Sequence, residues 1–374
     1  MATQVVQVDC ALPPETVTLR PDVDEALIVF CGPAGPVGQA LVPRPADGRL
    51  TQAHLRHPGP GPSAAASDPG QPISVVICTR ERPDDLDRAV RAVLDVLRPG
   101  DQIIVVDNNP ATDRTAAVTT RLGVTRVVEP GRGLNRARNA GFAAARHEVV
   151  AYVDDDVVVT PFWRHNIARE FSAPQVGCVT GLVLPIELET EAQEQFEVFS
   201  AHRRTFERRQ YSGAAVVPSR ADVVGIGANM AFRRGVLVEL GGFDPRLDAG
   251  TRARAGGDTD MFARVLEAGH DIVYDPQAQV WHRHRRTMPE LRACVFGYGA
   301  GTFAMLTKRV VEDGDLRALE TAARWVAGTA LKVVRLRVTG APAPYLRLNV
   351  AEWAGACCGP LFYVLETWSV RAER

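Results

Sequence analysis

From residue 73 to residue 153, short continuous apolar runs alternate with segments of helical spacing. Residues 73–78 are apolar apart from Ser74 and read as a buried strand. Pro83 then opens a helix with Leu86, Ala89, Val90, Val93, Leu94 and Leu97 on one face, and Gly100 closes it. Further strands are predicted at 102–106, 124–128 and 149–153, with a helix over 134–146. The order β-α-β-α-β-α-β, built on continuously apolar strands, predicts an α/β fold with a mostly parallel central sheet flanked by helices.

The later pattern is less regular. It predicts a strand at 176–184 broken by Gly181, a helix over 191–211, and a helix over 258–269. Short strands at 272–274 and 279–281 follow, and the chain is helical from Pro289 onward. At the other end, apolar runs at 26–30 and 37–42 are separated by Gly and Pro, as in a small β-hairpin unit. The expected organisation is a β-rich unit at 1–58, a Pro/Gly/Ala/Ser-rich linker at 59–72, an α/β domain at 73–290 and a helical region at 291–374.

Composition narrows the function classes. The chain has 374 residues, is 46% apolar and carries a formal charge of -1, which argues against a nucleic-acid binder. Lys308 and Lys332 are its only lysines and neither lies in a glycine-rich loop, so a Walker-type site is not expected. The seven cysteines are scattered, which fits a reduced cytoplasmic compartment better than a disulfide framework. No signal peptide is visible, and no run is long enough to span a bilayer. The uncharged stretch at 353–365 and the Arg-rich C-terminal helices permit peripheral contact with the inner face of a membrane.

The strongest chemical signal is Asp154-Asp155-Asp156, which closes the strand at 149–153. Three adjacent carboxylates at the end of a buried strand repel one another unless a cation sits there. Alternation puts Asp154 and Asp156 on one side, offering two carboxylates to one divalent ion, Mg²⁺ or Mn²⁺, with Asp155 on the other. The plain alternative is a solvated acidic turn. Ligands of open α/β sheets bind outside the carboxyl ends of the strands. That rule lines up Thr79-Arg80, Asp107-Asn108 and the triplet along one rim, which weakens the alternative.

The motifs together resemble the inverting glycosyltransferases of the GT-A fold, family 2. The likeness runs from Ile73-Ser74-Val75-Val76-Ile77-Cys78-Thr79-Arg80 through Val105-Val106-Asp107-Asn108 and Gly133-Leu134-Asn135-Arg136-Ala137-Arg138-Asn139-Ala140-Gly141. It continues through the triplet, Gly227-Ala228-Asn229-Met230-Ala231-Phe232, Gly241-Gly242-Phe243-Asp244 and Gly257-Asp258-Thr259-Asp260. The resemblance implies transfer of a sugar from a nucleoside-diphosphate sugar to an acceptor hydroxyl on a glycan, a lipid-linked carrier or a small molecule. One departure is Gly257, where family members often carry Glu. Competing readings are a sugar-1-phosphate nucleotidyltransferase, disfavoured because the loop at 78–83 lacks glycine, and a non-catalytic sugar-nucleotide-binding protein.

By resemblance, Asp107 accepts hydrogen bonds from the base, and Thr79, Arg80 and Arg82 contact base or phosphate. Arg132, Arg136 and Asn139 line the next loop and helix, whose amino end near Leu134 suits a pyrophosphate. Arg138 reads as part of a solvated helix face. Family likeness gives Asp154 to the ribose and metal shell and Asp156 to the ion, with His282 or His284 as a further ligand. Asp155 faces the sugar or a local partner, and Asn229 lies on the floor of the donor pocket. Inversion needs one carboxylate to deprotonate the acceptor, and the family pattern points to Asp258. Asp258 also reads as an N-cap, its plain structural alternative.

Overall fold

The computed structural model of the chain describes residues 2–56, 70–200, 205–338 and 343–372. The expected linker lies largely outside the described residues, as do Arg203 and Arg204.

The N-terminal unit comprises β1 (Thr3–Asp9), β2 (Thr16–Thr18), β3 (Glu25–Gly32), β4 (Gly35–Pro43), β5 (Arg49–Thr51) and α1 (Gln52–Leu55). β3 and β4 pair antiparallel, and β1 joins β3 in parallel. One face of this sheet closes over Val8, Ile28, Phe30 and Leu50. The other, through Leu27 and Val29, packs on Leu182, Leu184 and Tyr274 of the next domain.

That domain runs through β6 (Ile73–Thr79), α2 (Pro83–Leu94), β7 (Gln102–Asn108), α3 (Arg114–Leu122), β8 (Thr125–Glu129), α4 (Leu134–Ala144) and β9 (Val149–Asp154). Its first four strands are parallel, in the order β9-β6-β7-β8. Strand parity builds the two faces. Val75, Ile77, Val105 and Ala151 bury against α2, while Val76, Ile104, Val106 and Tyr152 bury toward α4. Gly141 on α4 sits so close to β6 that a Cβ there would come within 2.3 Å of Val76, which sets the helix–sheet distance.

The chain continues through β10 (Val157–Val159), α5 (Trp163–Glu170), β11 (Val176–Pro185), α6 (Glu191–Ser200) and β12 (Arg209–Tyr211). A 3-10 helix (Pro218–Val223), β13 (Asn229–Arg233), α7 (Arg234–Glu239), α8 (Gly257–Glu267) and β14 (Asp271–His282) follow. β13 inserts antiparallel between β9 and β11, so this half of the sheet is mixed rather than parallel. Three local expectations change. Residues 209–211 form a strand on β14 instead of continuing a helix. The two short strands at 272–274 and 279–281 are one twelve-residue strand. Strand β11 runs unbroken through Gly181 while β14 bulges opposite it, and the glycine is required there because a Cβ would lie 1.9 Å from the Ala278 carbonyl oxygen.

Helices α9 (Met288–Val311), α10 (Arg317–Val338) and α11 (Ala343–Ala372) complete the chain. The uncharged stretch at 353–365 lies in α11. There Gly355 and Gly359 bring its backbone against α9, where a Cβ on Gly355 would meet the Phe296 carbonyl at 2.0 Å. Among the described residues, no helix is long and apolar enough to cross a membrane.

Candidate functional site

Thr79, Asp107 and Asp154 end three adjacent parallel strands, with Thr79 in register with Asp107 and Cys78 with Asp154. The triplet is a turn as well as a strand end, since Asp155 and Asp156 link β9 to β10. The turn separates the carboxylates as parity requires. Asp155 is buried and accepts from Thr79 Oγ1 at 2.7 Å and from Arg82 Nη1 at 3.1 Å. Asp156 turns the other way, with His282 Nε2 3.2 Å from its Oδ1 and Arg285 Nη1 3.2 Å from its Oδ2. Arg82 thus spans Asp155 and Asp156, at 3.1 and 3.2 Å.

Asp154, Asp156 and His282 each offer one ligand atom, all within 4.8 Å of one another. Two carboxylates and an imidazole suit Mn²⁺ or Mg²⁺. The electrostatics agree. Burial, and then the nearby Asp156, push Asp154 above the ordinary carboxylate range. Burial alone would do the same to Asp156, but His282, Arg285 and Arg82 hold it below that range. Burial also raises Asp155, to about 6, against the pull of Arg82. His284 stands behind the trio: its Nδ1 is 3.0 Å from His282 Nδ1, and its Nε2 faces Glu197 at 3.4 Å. These contacts orient His282 and turn the nitrogens of His284 toward His282 and Glu197.

At the neighbouring strand end, Asp107 is fully buried. Its Oδ2 accepts two hydrogen bonds from Arg126, at 2.6 and 3.0 Å, while its Oδ1 is buried with no hydrogen-bond partner. A buried carboxylate oxygen left open at a strand's carboxyl end is suited to a ligand N–H. Arg126 went unrecognised in the sequence, where its signal is a lone charge inside the apolar strand 124–128. Next to it, Asn108 accepts from Gly133 N at 3.0 Å and donates to the Gly131 carbonyl at 2.7 Å, which shapes the glycine loop.

Arg80 and Arg132 are exposed along this rim, and Arg136 packs over Gly131. Asn139 instead pins the 242–243 turn, since its amide donates to the Phe243 carbonyl and accepts from Phe243 N, both at 2.8 Å. Asn229 is likewise saturated, by Trp163 Nε1 at 2.9 Å and the Ala278 carbonyl at 2.7 Å. The amino end of α4 is covered, since Leu134 N donates to the Ala249 carbonyl at 2.8 Å.

Asp258 lies in the first turn of α8, and Gly256, not Asp258, is the N-cap. Its Oδ1 accepts from Thr259 N at 2.7 Å and its Oδ2 from Gly227 N at 2.8 Å, which aims the carboxylate at the 225–229 loop. Two residues on, Asp260 is buried and pairs with Lys308 of α9 at 2.6 Å, so it anchors the helix rather than merely complementing its dipole. Arg138 corrects the expectation of a solvated helix face. It is 4% exposed, and its Nη1 contacts Asp248 at 2.6 Å and Asn135 at 3.0 Å. The departure at Gly257 has a steric reason: a Cβ there would lie 2.3 Å from Asn135 Nδ2 and 2.6 Å from Asp248 Oδ2.

Comparison with known proteins places this geometry. Residues 74–241 match the model of the family described as Glycosyl transferase family 2. The match spans just under half of the chain. This region, with its flanks, is 27% identical over 267 residues to the pre-mycofactocin glycosyltransferase of Mycobacterium tuberculosis, covering 70% of this chain and 52% of that protein. The chain therefore spans about half the length of that relative. It is 26% identical over 261 residues to the glucosyl-dolichyl phosphate glucuronosyltransferase of Haloferax volcanii, covering 64% and 80% of the two chains. The fold is also that of the mannosyltransferase PcManGT from Pyrobaculum calidifontis, solved with GDP-Man and Mn2+. That match has a TM-score of 0.54 at 19% identity and covers 80% of this chain and 90% of the other. The family 2 domain thus has the expected GT-A fold, with a small N-terminal β unit and C-terminal helices around it.

Proposed function

We propose that this protein is a metal-dependent, inverting glycosyltransferase that moves a sugar from a nucleoside-diphosphate sugar to an acceptor hydroxyl. The observation that carries this reading is the convergence of Asp154, Asp156 and His282 on one point, beside the buried open oxygen of Asp107. Asp107 receives a base N–H, held ready by Arg126. Asp154, Asp156 and His282 hold a divalent ion, which neutralises charge on the leaving diphosphate when bound. Arg82 and Arg285 add positive charge at the same point. Asp258 takes the proton of the acceptor hydroxyl, its carboxylate fixed by Gly227 N–H and Thr259 N–H.

The acceptor side is read from α10, where Leu319, Val326, Leu331 and Val334 are exposed on one side, next to Leu316 just before the helix. This stripe supports peripheral membrane contact and a lipid-linked acceptor. The deciding experiment is a screen of sugar nucleotides for donor hydrolysis with and without Mn²⁺, which needs no known acceptor. Metal-dependent release of a nucleoside diphosphate supports the reading. Formation of a nucleoside triphosphate and a sugar-1-phosphate when pyrophosphate is added to the sugar nucleotide would move the protein to the nucleotidyltransferases.

A further inference from the structure

Arg138 is the buried cation of the site, and nothing in the proposed chemistry yet uses it. Its charge has three acidic neighbours. Burial opposes its ionisation, but Asp248 first, then Asp154 and Asp258, hold its pKa above normal. Two of these sit on opposite sides of the reaction as proposed: Asp154 faces the metal and Asp258 faces the acceptor. Arg138 Nη2 and Asp258 Oδ2 each lie 2.9 Å from the point where a side chain on Gly227 would begin, so they flank the same glycine. The guanidinium also stacks over Phe243, 5.4 Å from its ring centre.

Asp248 fixes this cation. Its Oδ2 meets Arg138 Nη1 at 2.6 Å, and its Oδ1 accepts from Ala249 N at 2.8 Å. Its backbone is in the left-handed region at φ 78°, which aspartate tolerates better than most residues. That conformation is held from both sides, by Asp248 N to the Ala255 carbonyl and by Thr251 Oγ1 to the Asp248 carbonyl. Gly257 keeps the space open, since any side chain there would collide with Asp248.

We infer that Asp248 and Arg138 form a positioning pair, which places one fixed positive charge between Asp154 and Asp258 and so sets where the acceptor base stands relative to the donor. The inference rests on the proposed function for the roles of Asp154 and Asp258.

The test compares Asp248→Asn, Arg138→Met and Arg138→Lys, each checked for folding by its melting curve. In donor hydrolysis, Asp248→Asn lowers kcat about tenfold or more while the donor KM stays within about threefold, because the donor pocket is left intact. Arg138→Lys recovers part of what Arg138→Met loses. A structural role alone would lower melting temperature without this split, and unchanged kcat in folded Asp248→Asn overturns the inference. Two further readouts need no turnover. Loss of the charge near Asp154 tightens Mn²⁺ binding by Arg138→Met, read by electron paramagnetic resonance, about threefold or more. A crystal structure of Asp248→Asn shows Asp258 displaced from Gly227 N, and an undisturbed Asp258 overturns the inference even if no donor is found. Wild-type protein that neither binds Mn²⁺ nor turns over any donor overturns the proposed function instead.

Discussion

Arg126 donates twice to one oxygen of Asp107, at 2.6 and 3.0 Å, and leaves the other oxygen buried and unpartnered. An unsatisfied buried polar atom costs about 1–3 kcal/mol, so the free protein carries a penalty that a bound base removes. Asp107→Ala is therefore expected to weaken nucleotide binding by about tenfold or more, and to lower the melting temperature because Arg126 loses both hydrogen bonds to the carboxylate. Titration calorimetry with UDP, GDP and dTDP in the presence of Mn²⁺ measures the first effect. Equal affinity in wild type and variant would remove Asp107 from the donor site.

Asp156 gathers His282, Arg82 and Arg285, yet its Oδ1 also completes the trio with Asp154 and His282. Asp156→Ala should abolish the extra thermal stabilisation that Mn²⁺ gives in the presence of a nucleoside diphosphate. His282→Ala should reduce it. His284→Ala should reduce it less, because its nitrogens face His282 and Glu197. A larger loss from His284→Ala than from His282→Ala would reverse the ligand assignment.

Asp258 contacts two backbone N–H groups and sits in the first turn of α8. Asp258→Asn keeps the shape and can still accept from Gly227 N–H. The expected result is donor binding close to wild type with transfer lowered about 100-fold or more, as for removal of a general base. The check is single-turnover transfer alongside nucleotide titration, and full activity in this variant would end the base assignment.

Strand ends were legible in the sequence where residue type and parity both spoke. The triplet is the example: alternation set Asp155 apart from Asp154 and Asp156, and the structure groups Asp154 and Asp156 with His282 while Asp155 meets Thr79, although Arg82 bridges Asp155 and Asp156. An amide on a family motif looks the same in sequence whether it meets ligand or backbone, and only the approach of Phe243 and of Ala278 shows that Asn139 and Asn229 hydrogen-bond to the fold. Arg138 was hidden for a related reason. Helical spacing places it near Arg136, but it is the loop at 244–256, remote in sequence, that buries it. The single strand at 271–282 was cut in two by Asp275, Pro276 and Gln277, which pass through a bulge that period-two reasoning does not foresee.

The apolar stripe on α10 has a direct check. Leu319 and Val326 are exposed and lie two turns apart on one side of the helix. If that face meets lipid, the protein co-floats with vesicles containing anionic lipid, and Leu319→Glu with Val326→Glu releases it. Donor hydrolysis in solution stays unchanged in the same variant. Equal flotation of variant and wild type would leave the stripe without a membrane role.

Asp155 gives a pH dependence whose sign is fixed by its environment. Its carboxyl is raised to about 6, first by burial and then, against Arg82, by Asp156 and Asp154. The folded state therefore binds a proton more tightly than the unfolded chain, whose carboxyl titrates near 3.8. Stability from this group is complete below the unfolded value, declines as pH rises, and is gone above about 6. A shift of this size corresponds to about 3 kcal/mol when the penalty is complete. Asp155→Asn removes the ionisable group, keeps one oxygen to accept from Arg82, and presents its NH2 to Thr79 Oγ1, which can accept in place of donating. In chelator, to keep the site metal-free, the variant should melt above wild type at about pH 7.5, and the gain should fade toward pH 4. Thermal melts across that range decide it: a difference that does not vary with pH would mean that Asp155 acts through its hydrogen bonds and not through its charge.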